Sequence, residues 1–371
     1  MKKKNLKGLT LEELEDFAEE LGQPRYRGWQ IFSWLYAKGV KRFEEMSDIS
    51  RNLRGRLAEV ATISHLDASS YETSSIDGTT KFLFALSDGL RIESVIIPPD
   101  PIDSIGADTG KRLTLCVSTQ VGCPLDCKFC ATGAMGYTRN LTPGEIVDQV
   151  IEAQKHSPRR ITNIVYMGMG EPLMNYENVM KSIEILTHRR CLNIGSRHIT
   201  VSTAGWAVNI RRMADEERKV KLAVSLHTLD NGLRARLMPI TRKYPLDILL
   251  DAVRYYYQRT RLRPTFEYIL FRDLNDTDRD LGQLITLARK IPCKVNIIPF
   301  HSIDFMNPSG VAATLRPSTR ERMSAFVDAL RENHVMVFVR SSAGEDINAA
   351  CGQLAVKEEA SFGEKAGVGV V

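Results

Sequence analysis

The stretch CVSTQVGCPLDCKFCATG, residues 116–133, holds four of the chain's seven cysteines and decides how the chain around it is organised. A β-type run, LTLCVS (113–118), leads into it, and an amphipathic helical run, EIVDQVIEAQKH (145–156), comes after it. The next β-type run is NIVYMG (163–168). A strand, a thiol-rich loop, a helix and a second strand in this order form a strand–helix–strand unit, which favours parallel pairing of the two strands.

The same alternation continues to the end of the chain. Amphipathic stretches separate five further β-branched runs, which are HITVST (198–203), KLAVSLH (221–227), TFEYILF (265–271), KVNIIPF (294–300) and VMVFVRS (335–341). About six strand–helix units predict an α/β fold with a partial TIM-like (βα)6 barrel, short of the eight units of the complete barrel. A doubly wound open sheet is the competing architecture.

Two smaller units precede the barrel. Thr10 and Glu13 form a capping-box pattern at the start of LEELEDFAEEL, which predicts a small N-terminal helical domain. Asp88 and Gly89 lie between two β-rich runs and predict a β-hairpin extension. The predicted division is a helical domain at 1–65, the extension and a connector at 66–112, the barrel at 113–354 and a loosely ordered tail at 355–371.

The composition resembles that of ordinary soluble proteins, with 371 residues, 43% hydrophobic, 26% charged and a net charge of +5. No apolar run approaches the ~18 residues of a membrane span, and no apolar signal segment follows the basic start, so we expect a cytoplasmic protein. Basic groups at 51–56 and 211–212 are candidates for contacts with an anionic partner. In a reducing compartment, clustered cysteines more often bind metal or perform chemistry than form disulfides.

Cys123, Cys127 and Cys130 have the spacing C-x3-C-x2-C. A structural zinc site normally has two ligand pairs and closed four-fold coordination, whereas this loop contains a single C-x2-C pair. Soft thiolates also suit an iron–sulfur cluster, and three ligands would leave one iron of a four-iron cube open for a substrate. The spacing favours the cluster and leaves zinc and three unligated thiols as alternatives.

Polar and glycine-rich residues follow several predicted strands at one position. They are Gly170-Glu171-Pro172, Ser202, Ser225-Leu226-His227 and His301. In parallel α/β folds, ligands bind at the carboxyl ends of the strands. We therefore expect these residues to lie around one site.

The pattern C-x3-C-x-aromatic-C, with Phe129 as the aromatic residue, resembles the signature of the radical S-adenosylmethionine superfamily. Five longer segments resemble the RlmN/Cfr family of RNA adenine methyltransferases, and they are CVSTQVGCPLDCKFCATGAMGYTRNLTPGEIVDQV (116–150), YMGMGEPLMN (166–175), STAGW (202–206), AVSLHT (223–228) and INAACGQLA (347–355). The resemblance implies a [4Fe–4S] cluster, two S-adenosylmethionine molecules per turnover and methylation of an adenine C2 in 23S rRNA. In some members an adenine of the tRNA anticodon loop is also a target.

The resemblance also implies catalytic roles. The three loop cysteines would hold the cluster, and Cys351 would carry the methyl group as S-methylcysteine. Cys116 would resolve the protein–RNA adduct and leave a disulfide with Cys351. Glu93 would act as a proton acceptor, although on its own it would be interpreted as an exposed charge of the hairpin. A flavodoxin or ferredoxin system would supply electrons, and the N-terminal helical domain would bind RNA.

Cofactor contacts follow from the same resemblance, which assigns S-adenosylmethionine binding to Phe129, Gly170, Glu171, Ser202, Ser225, Leu226, His227 and His301. The family commonly has asparagine where this chain has His301, whose imidazole can also donate or accept a hydrogen bond. Two other functions stay open from the sequence. One is methylation at adenine C8, the activity of the Cfr branch, and the other is a non-catalytic metal-binding protein that binds RNA.

Overall fold

The computed structural model describes residues 3–99, 112–340 and 342–356. Most of the predicted connector and most of the predicted tail lie outside these residues. The helices are α1 Leu11–Glu20, α2 Tyr26–Tyr36, α3 Arg51–Val60, α4 Ala131–Ala134, α5 Pro143–Lys155, α6 Tyr176–Thr187, α7 Ala207–Asp215, α8 Asn231–Leu237, α9 Leu246–Thr260, α10 Asp278–Lys290, α11 Val311–Thr314 and α12 Arg320–Glu332.

Fourteen strands accompany these helices in the described residues. They are β1 Lys4–Asn5, β2 Ala61–Thr62, β3 Asp67–Thr73, β4 Thr80–Ala85, β5 Arg91–Ile97, β6 Thr114–Cys116, β7 Gln120–Gly122, β8 Tyr137–Asn140, β9 Asn163–Tyr166, β10 Ile199–Thr203, β11 Lys221–Ser225, β12 Thr265–Leu270, β13 Lys294–Pro299 and β14 Val337–Val339. Among the described helices, none has the length and apolar character needed to cross a bilayer.

One ten-stranded sheet organises the described chain, in the order β14-β13-β12-β11-β10-β9-β6-β5-β4-β3. From β6 onward, neighbouring strands pair in parallel and follow one another in chain order, with helices between them. A doubly wound sheet would reverse its strand order at a switch point, and no reversal occurs along this path. The structure therefore confirms the α/β class and the six strand–helix units.

The parallel part of the sheet curls. Arg340, which follows the last strand, donates a hydrogen bond to Sδ of Met167 at 3.3 Å, and Met167 follows β9 at the other side of the parallel array. This contact across the interior is expected of an open, partial barrel. The curl brings the carboxyl ends of distant strands around a common space, which positions the site described below.

The extension contains more than the predicted hairpin. Strands β4 and β5 form that hairpin, and their turn closes with a hydrogen bond from Leu86 N to Leu90 O at 2.8 Å. A third antiparallel strand, β3, pairs with β4. Its sequence, DASSYET, is largely polar and exposed because it forms the edge of the sheet, so no apolar alternation reveals it. The prediction of a two-stranded extension was therefore incomplete.

The N-terminal helices form the predicted helical unit. The Oγ1 atom of Thr10 accepts from Glu13 N at 3.3 Å, and Thr10 N donates to the Glu13 carboxylate at 2.7 Å, which confirms the capping box. A buried ion pair ties this unit to the barrel, since Lys7 Nζ lies 2.8 Å from Asp148 Oδ1 on α5. Both side chains are almost inaccessible to water, at 2% and 3% exposure.

Replacing Lys7 with methionine should lower the free energy of unfolding by about 3–5 kcal/mol, because the Asp148 carboxylate would remain buried without its cation. Chemical denaturation followed by circular dichroism measures the change. The double variant K7M/D148L should regain most of the loss, since an apolar pair of similar volume tolerates burial. Arg25→Met, which removes only exposed ion pairs, is the matched control and should leave the unfolding midpoint almost unchanged. An unchanged midpoint for K7M would contradict the role given to this pair.

Candidate active site

The thiol loop runs between β7 and β8, whose pairing closes its base. Cys123 N donates to Gly136 O at 2.7 Å, and Cys130 N donates to Cys127 O at 3.1 Å. Gly122 has a φ of +74°, and a Cβ atom there would lie 1.9 Å from Gly136 O. Only glycine fits where the backbone at Gly122 passes so close to Gly136. This close approach holds the two ends of the loop together.

All three loop thiols line one cavity. Burial, together with repulsion from neighbouring thiols, raises the pKa of Cys123 to about 12 and also raises the pKa values of Cys127 and Cys130. Three crowded, half-buried thiols without a cation therefore stay protonated. A bound metal centre would reverse this, since the thiolate is the form that ligates metal.

Within the described residues, no three His, Cys, Asp or Glu side chains surround a single ion position. Three cysteines that hold a four-iron cube each bind a different iron, so they need not converge on one point. The donor set, three soft thiols in one cavity, fits such a cluster.

Ten of the predicted site residues line this cavity, which measures about 820 Å³ including the part that opens to solvent. That size lies within the ~300–1,000 Å³ typical of small-molecule sites. The ten are Cys123, Cys127, Phe129, Cys130, Gly170, Glu171, Ser202, Ser225, His227 and Cys351. Most of the residues expected at the carboxyl ends of the strands therefore lie around one cavity, and Leu226 and His301 are the exceptions.

Glu171 is a buried carboxylate at the cavity wall. Its Oε1 accepts from Leu173 N at 3.1 Å, and its Oε2 accepts from Ala204 N at 2.8 Å. Burial raises its pKa to about 7, partly offset by these hydrogen bonds. A cationic donor such as an ammonium group would restore its charge and could use the remaining lone pairs.

His227 presents an unpaired donor to the cavity. Its Nδ1 accepts a hydrogen bond from Ile269 N at 3.0 Å, so the ring proton is on Nε2. That Nε2 is buried and has no hydrogen-bond partner among the described residues. The ring packs edge-on against Phe129 at 4.7 Å, and burial lowers its pKa to about 3, which keeps it neutral. A buried donor without a partner fits a ligand that supplies an acceptor.

Two charged cavity residues were missed by the sequence analysis. Arg340 donates to Cys351 Sγ at 3.7 Å, and it interacts electrostatically with Glu267 and Cys116. Glu267 accepts from Asn296 Nδ2 at 2.9 Å, while its Oε2 has no hydrogen-bond partner among the described residues. Arg340 lies near the end of the predicted β-type run 335–341 and directly after β14, so the rule about carboxyl ends could have identified it. Glu267 lies within a strand, and no comparable signal marks it.

Cys351 and Cys116 come together despite their separation in the sequence. Cys351 lines the cavity, and Cys116 lies buried on β6 beside it. Burial and the proximity of Cys351 together raise the pKa of Cys116 to about 12. All seven cysteines are free thiols in this structure.

Four predicted residues do not line the cavity, and one of them is Cys116. Glu93 is 5% exposed, so its interpretation as an exposed charge is wrong. Its carboxylate accepts from Ala355 N at 3.0 Å and lies 3.5 Å from Lys81 Nζ. Leu226 is buried beneath the cavity, with its N–H donating to Glu267 O at 3.0 Å. His301 is buried too, with Nδ1 3.4 Å from a carboxylate oxygen of Glu345.

Comparisons with known proteins agree with this geometry. The family model described as Radical SAM superfamily matches residues 117–285, and that described as Ribosomal RNA large subunit methyltransferase N-terminal domain matches residues 4–63. A Desulfotalea psychrophila protein named dual-specificity RNA methyltransferase RlmN is 45% identical over 368 residues, which cover 95% of each chain. A Thermotoga maritima protein, named probable dual-specificity RNA methyltransferase RlmN, is 46% identical over 95% of this chain and 98% of its own.

A solved structure extends the agreement to the fold. The crystal structure of a radical SAM methyltransferase from Sphaerobacter thermophilus matches with a TM-score of 0.83 and 41% identity, over 95% of this chain and 99% of that one. Membership of the radical SAM superfamily implies a 4Fe–4S cluster and S-adenosylmethionine, which the donor set of the cavity fits. The chain belongs to the RlmN family of radical S-adenosylmethionine RNA methyltransferases.

Proposed function

We propose that this protein methylates C2 of an adenine in 23S rRNA, with an adenine of the tRNA anticodon loop as a second target, through an S-methylcysteine on Cys351. The observation that carries the proposal is the position of Cys351. It lines the same cavity as the three cluster thiols and Glu171, with Cys116 buried beside it.

Adenine C2 lies between two ring nitrogens and is electron-poor, so it will not attack a sulfonium methyl group as a nucleophile. When bound, the cluster and S-adenosylmethionine supply the methyl group, an electron and the radical chemistry that this carbon requires. The loop thiols would hold the cluster. Glu171 would accept a hydrogen bond from an ammonium group, and Nε2 of His227 would donate one to an acceptor of the cofactor.

Cys351 would act as the carrier, because a thiolate displaces a methyl group from a sulfonium readily. After one hydrogen is removed from its S-methyl group, the remaining carbon bonds to adenine C2 and Cys351 tethers the RNA. Glu93 would accept the proton lost from C2, and the one electron released as the ring regains its aromaticity would return to the cluster. Its carboxylate contacts Ala355 N, close in sequence to Cys351, which keeps it beside the carrier segment.

Cys116 would release the product. Its thiolate attacks the sulfur of Cys351, the bond between that sulfur and the new methyl carbon breaks, and the carbon takes up a proton. The two cysteines are then left as a disulfide, which a reductant must open before the next turnover. Two molecules of S-adenosylmethionine are consumed, one for the methyl group and one for the hydrogen removal.

The names of the relatives support the choice of substrates. They are dual-specificity RNA methyltransferases, and the N-terminal match is to a domain of a large-subunit ribosomal RNA methyltransferase. We therefore propose two RNA substrates for this protein, 23S rRNA and tRNA. A flavodoxin or ferredoxin system is the proposed electron donor.

Expression in a host that lacks its own enzyme tests the proposal. Nucleoside mass spectrometry of purified 23S rRNA and tRNA, with synthetic standards, separates 2-methyladenosine from the C8 isomer. We expect 2-methyladenosine in both RNAs. A product at C8 would overturn the C2 assignment, and a product confined to one RNA would overturn the dual specificity.

A further inference from the structure

The wall of the cavity includes a short segment, residues 236–243, that we call the rim segment. It follows β11 and begins at the end of α8. Met238 of this segment lines the cavity, and Leu237 O just before it accepts a hydrogen bond from Lys128 N of the thiol loop at 2.9 Å. The rim segment is thus bonded directly to the loop that carries the cluster cysteines.

A buried arginine holds the rim segment rigidly. Arg234, which is 0% exposed, donates to Ala204 O at 2.7 Å and to Ser225 O at 2.8 Å, at the carboxyl ends of β10 and β11. It also donates to Thr241 Oγ1 at 2.8 Å, within the rim segment. Because one guanidinium joins two strand ends to this segment, groups on the segment have fixed positions relative to the cavity.

The rim segment carries three exposed cations, Arg236, Arg242 and Lys243. Within the described chain, none of the three lies in an ion pair, since no carboxylate oxygen is within 4.0 Å of their charged nitrogens. Lys243 Nζ lies 4.2 Å from the ring centroid of Trp206, a half-buried residue that follows β10. Unpaired cations beside an aromatic ring are the groups that bind phosphates and unstacked bases.

Of the two basic groups that the sequence singled out, the one at 211–212 is engaged differently. Arg211 is ion-paired with Asp251, and Arg212 with Glu177 and Glu216. An arginine whose charge is already neutralised by carboxylates gains less from a phosphate than an unpaired one. The unpaired cations of the rim segment are also next to the cavity, where a target base must enter.

Resting on the proposed function, we infer that the rim segment is a phosphate-contacting surface of the RNA site. Arg236, Arg242 and Lys243 bind backbone phosphates that flank the target adenine, and Trp206 provides an aromatic surface beside them. Extruding a base costs a few kcal/mol, and fixed contacts to its flanking phosphates hold the RNA in register while the base enters the cavity.

The test is RNA binding as a function of salt. Fluorescence anisotropy with an RNA hairpin that has an unpaired adenine in its loop compares wild type with the triple variant R236Q/R242Q/K243Q. Each lost phosphate contact should reduce the slope of log K against log salt by about 0.7, so the triple variant should lose about 2 units. At 0.1 M salt its affinity should fall about 100-fold.

Two matched variants distinguish the effect of the position of the cations on RNA binding from the effect of the net charge of the protein. The variant R211Q/R212Q/R218Q removes the same number of charges from ion-paired arginines and should keep the wild-type slope. The charge-conserving variant R236K/R242K should also keep it, which distinguishes phosphate binding from a folding defect. An unchanged slope in the R236Q/R242Q/K243Q protein, or an equal loss in the 211/212/218 variant, would overturn the inference.

An acidic electron-donor protein could also dock on a basic surface near the cluster. If R236Q/R242Q/K243Q slowed reduction by a flavodoxin while RNA binding stayed unchanged, the rim segment would serve that partner and the inference would be overturned. A separate measurement tests the proposed function itself. Intact-protein mass spectrometry shows whether the wild-type protein acquires a methyl group on Cys351, and absence of that methyl group would contradict the proposed function without bearing on the rim segment.

Discussion

RNA from cells that express the Cys351→Ala variant should contain no methyladenosine above the background of the enzyme-deficient host. Alanine has no nucleophilic sulfur, so the methyl group has no carrier, and no other cysteine can replace it without moving. Cys116 lies beside Cys351, but it is buried on β6 and does not line the cavity. The loss should therefore be complete rather than partial, as nucleoside mass spectrometry will show.

The control for this variant is Cys293→Ala. Cys293 is a buried thiol on the loop before β13, away from the cavity lining, so its removal costs some packing without touching the chemistry. That protein should keep most of the wild-type methylation. Methyladenosine in RNA from the Cys351→Ala strain would refute the carrier role, and loss in both strains would indicate a folding defect.

Cys127→Ala should remove the metal centre. Cys127 is held in the centre of the thiol loop, and its loss leaves two thiols for a cluster that needs three protein ligands. Protein purified anaerobically should fall from about four irons per chain to nearly none. Cleavage of S-adenosylmethionine under reductant should fall to the background rate in parallel.

Cys191→Ala is the matched control for iron content, because Cys191 is a half-buried thiol outside the cavity lining, like Cys127 in exposure. It should bind iron like the wild type. Full iron content in the Cys127→Ala protein would contradict the assignment of this ligand. Zinc in place of iron in the wild-type protein would contradict the cluster itself.

The architecture could be predicted from the sequence because each unit repeats the same physical signal. Short β-branched runs alternate with amphipathic stretches, and such strands pair in chain order when helices connect them. Strand β3 was not predicted, because an exposed edge strand needs no apolar face and so shows no apolar alternation in its sequence. Its polar sequence, DASSYET, reads like a loop.

Site residues could be predicted where they are close together in the sequence. They were harder to predict where only folding brings them together. The spacing of Cys123, Cys127 and Cys130 predicts a metal site within one loop. Arg340 and Glu267 acquire their meaning only when the sheet curls and brings β14 near β9. Sequence reasoning alone made Glu93 an exposed charge, because Ala355, which contacts its buried carboxylate, is distant in the sequence and approaches only in the folded chain.

Isotope transfer from Cys351 tests the central claim most directly. Protein whose Cys351 carries a CD3 group is mixed with substrate RNA and unlabelled S-adenosylmethionine for a single turnover. Mass spectrometry then counts the deuterium atoms in the methyl group of the methyladenosine product. Because one deuterium is removed before the carbon bonds to the base, the account predicts a product methyl group with two deuteriums. A methyl group with none would show direct transfer from S-adenosylmethionine, and one with three would show transfer of an intact methyl group; either result would contradict the account.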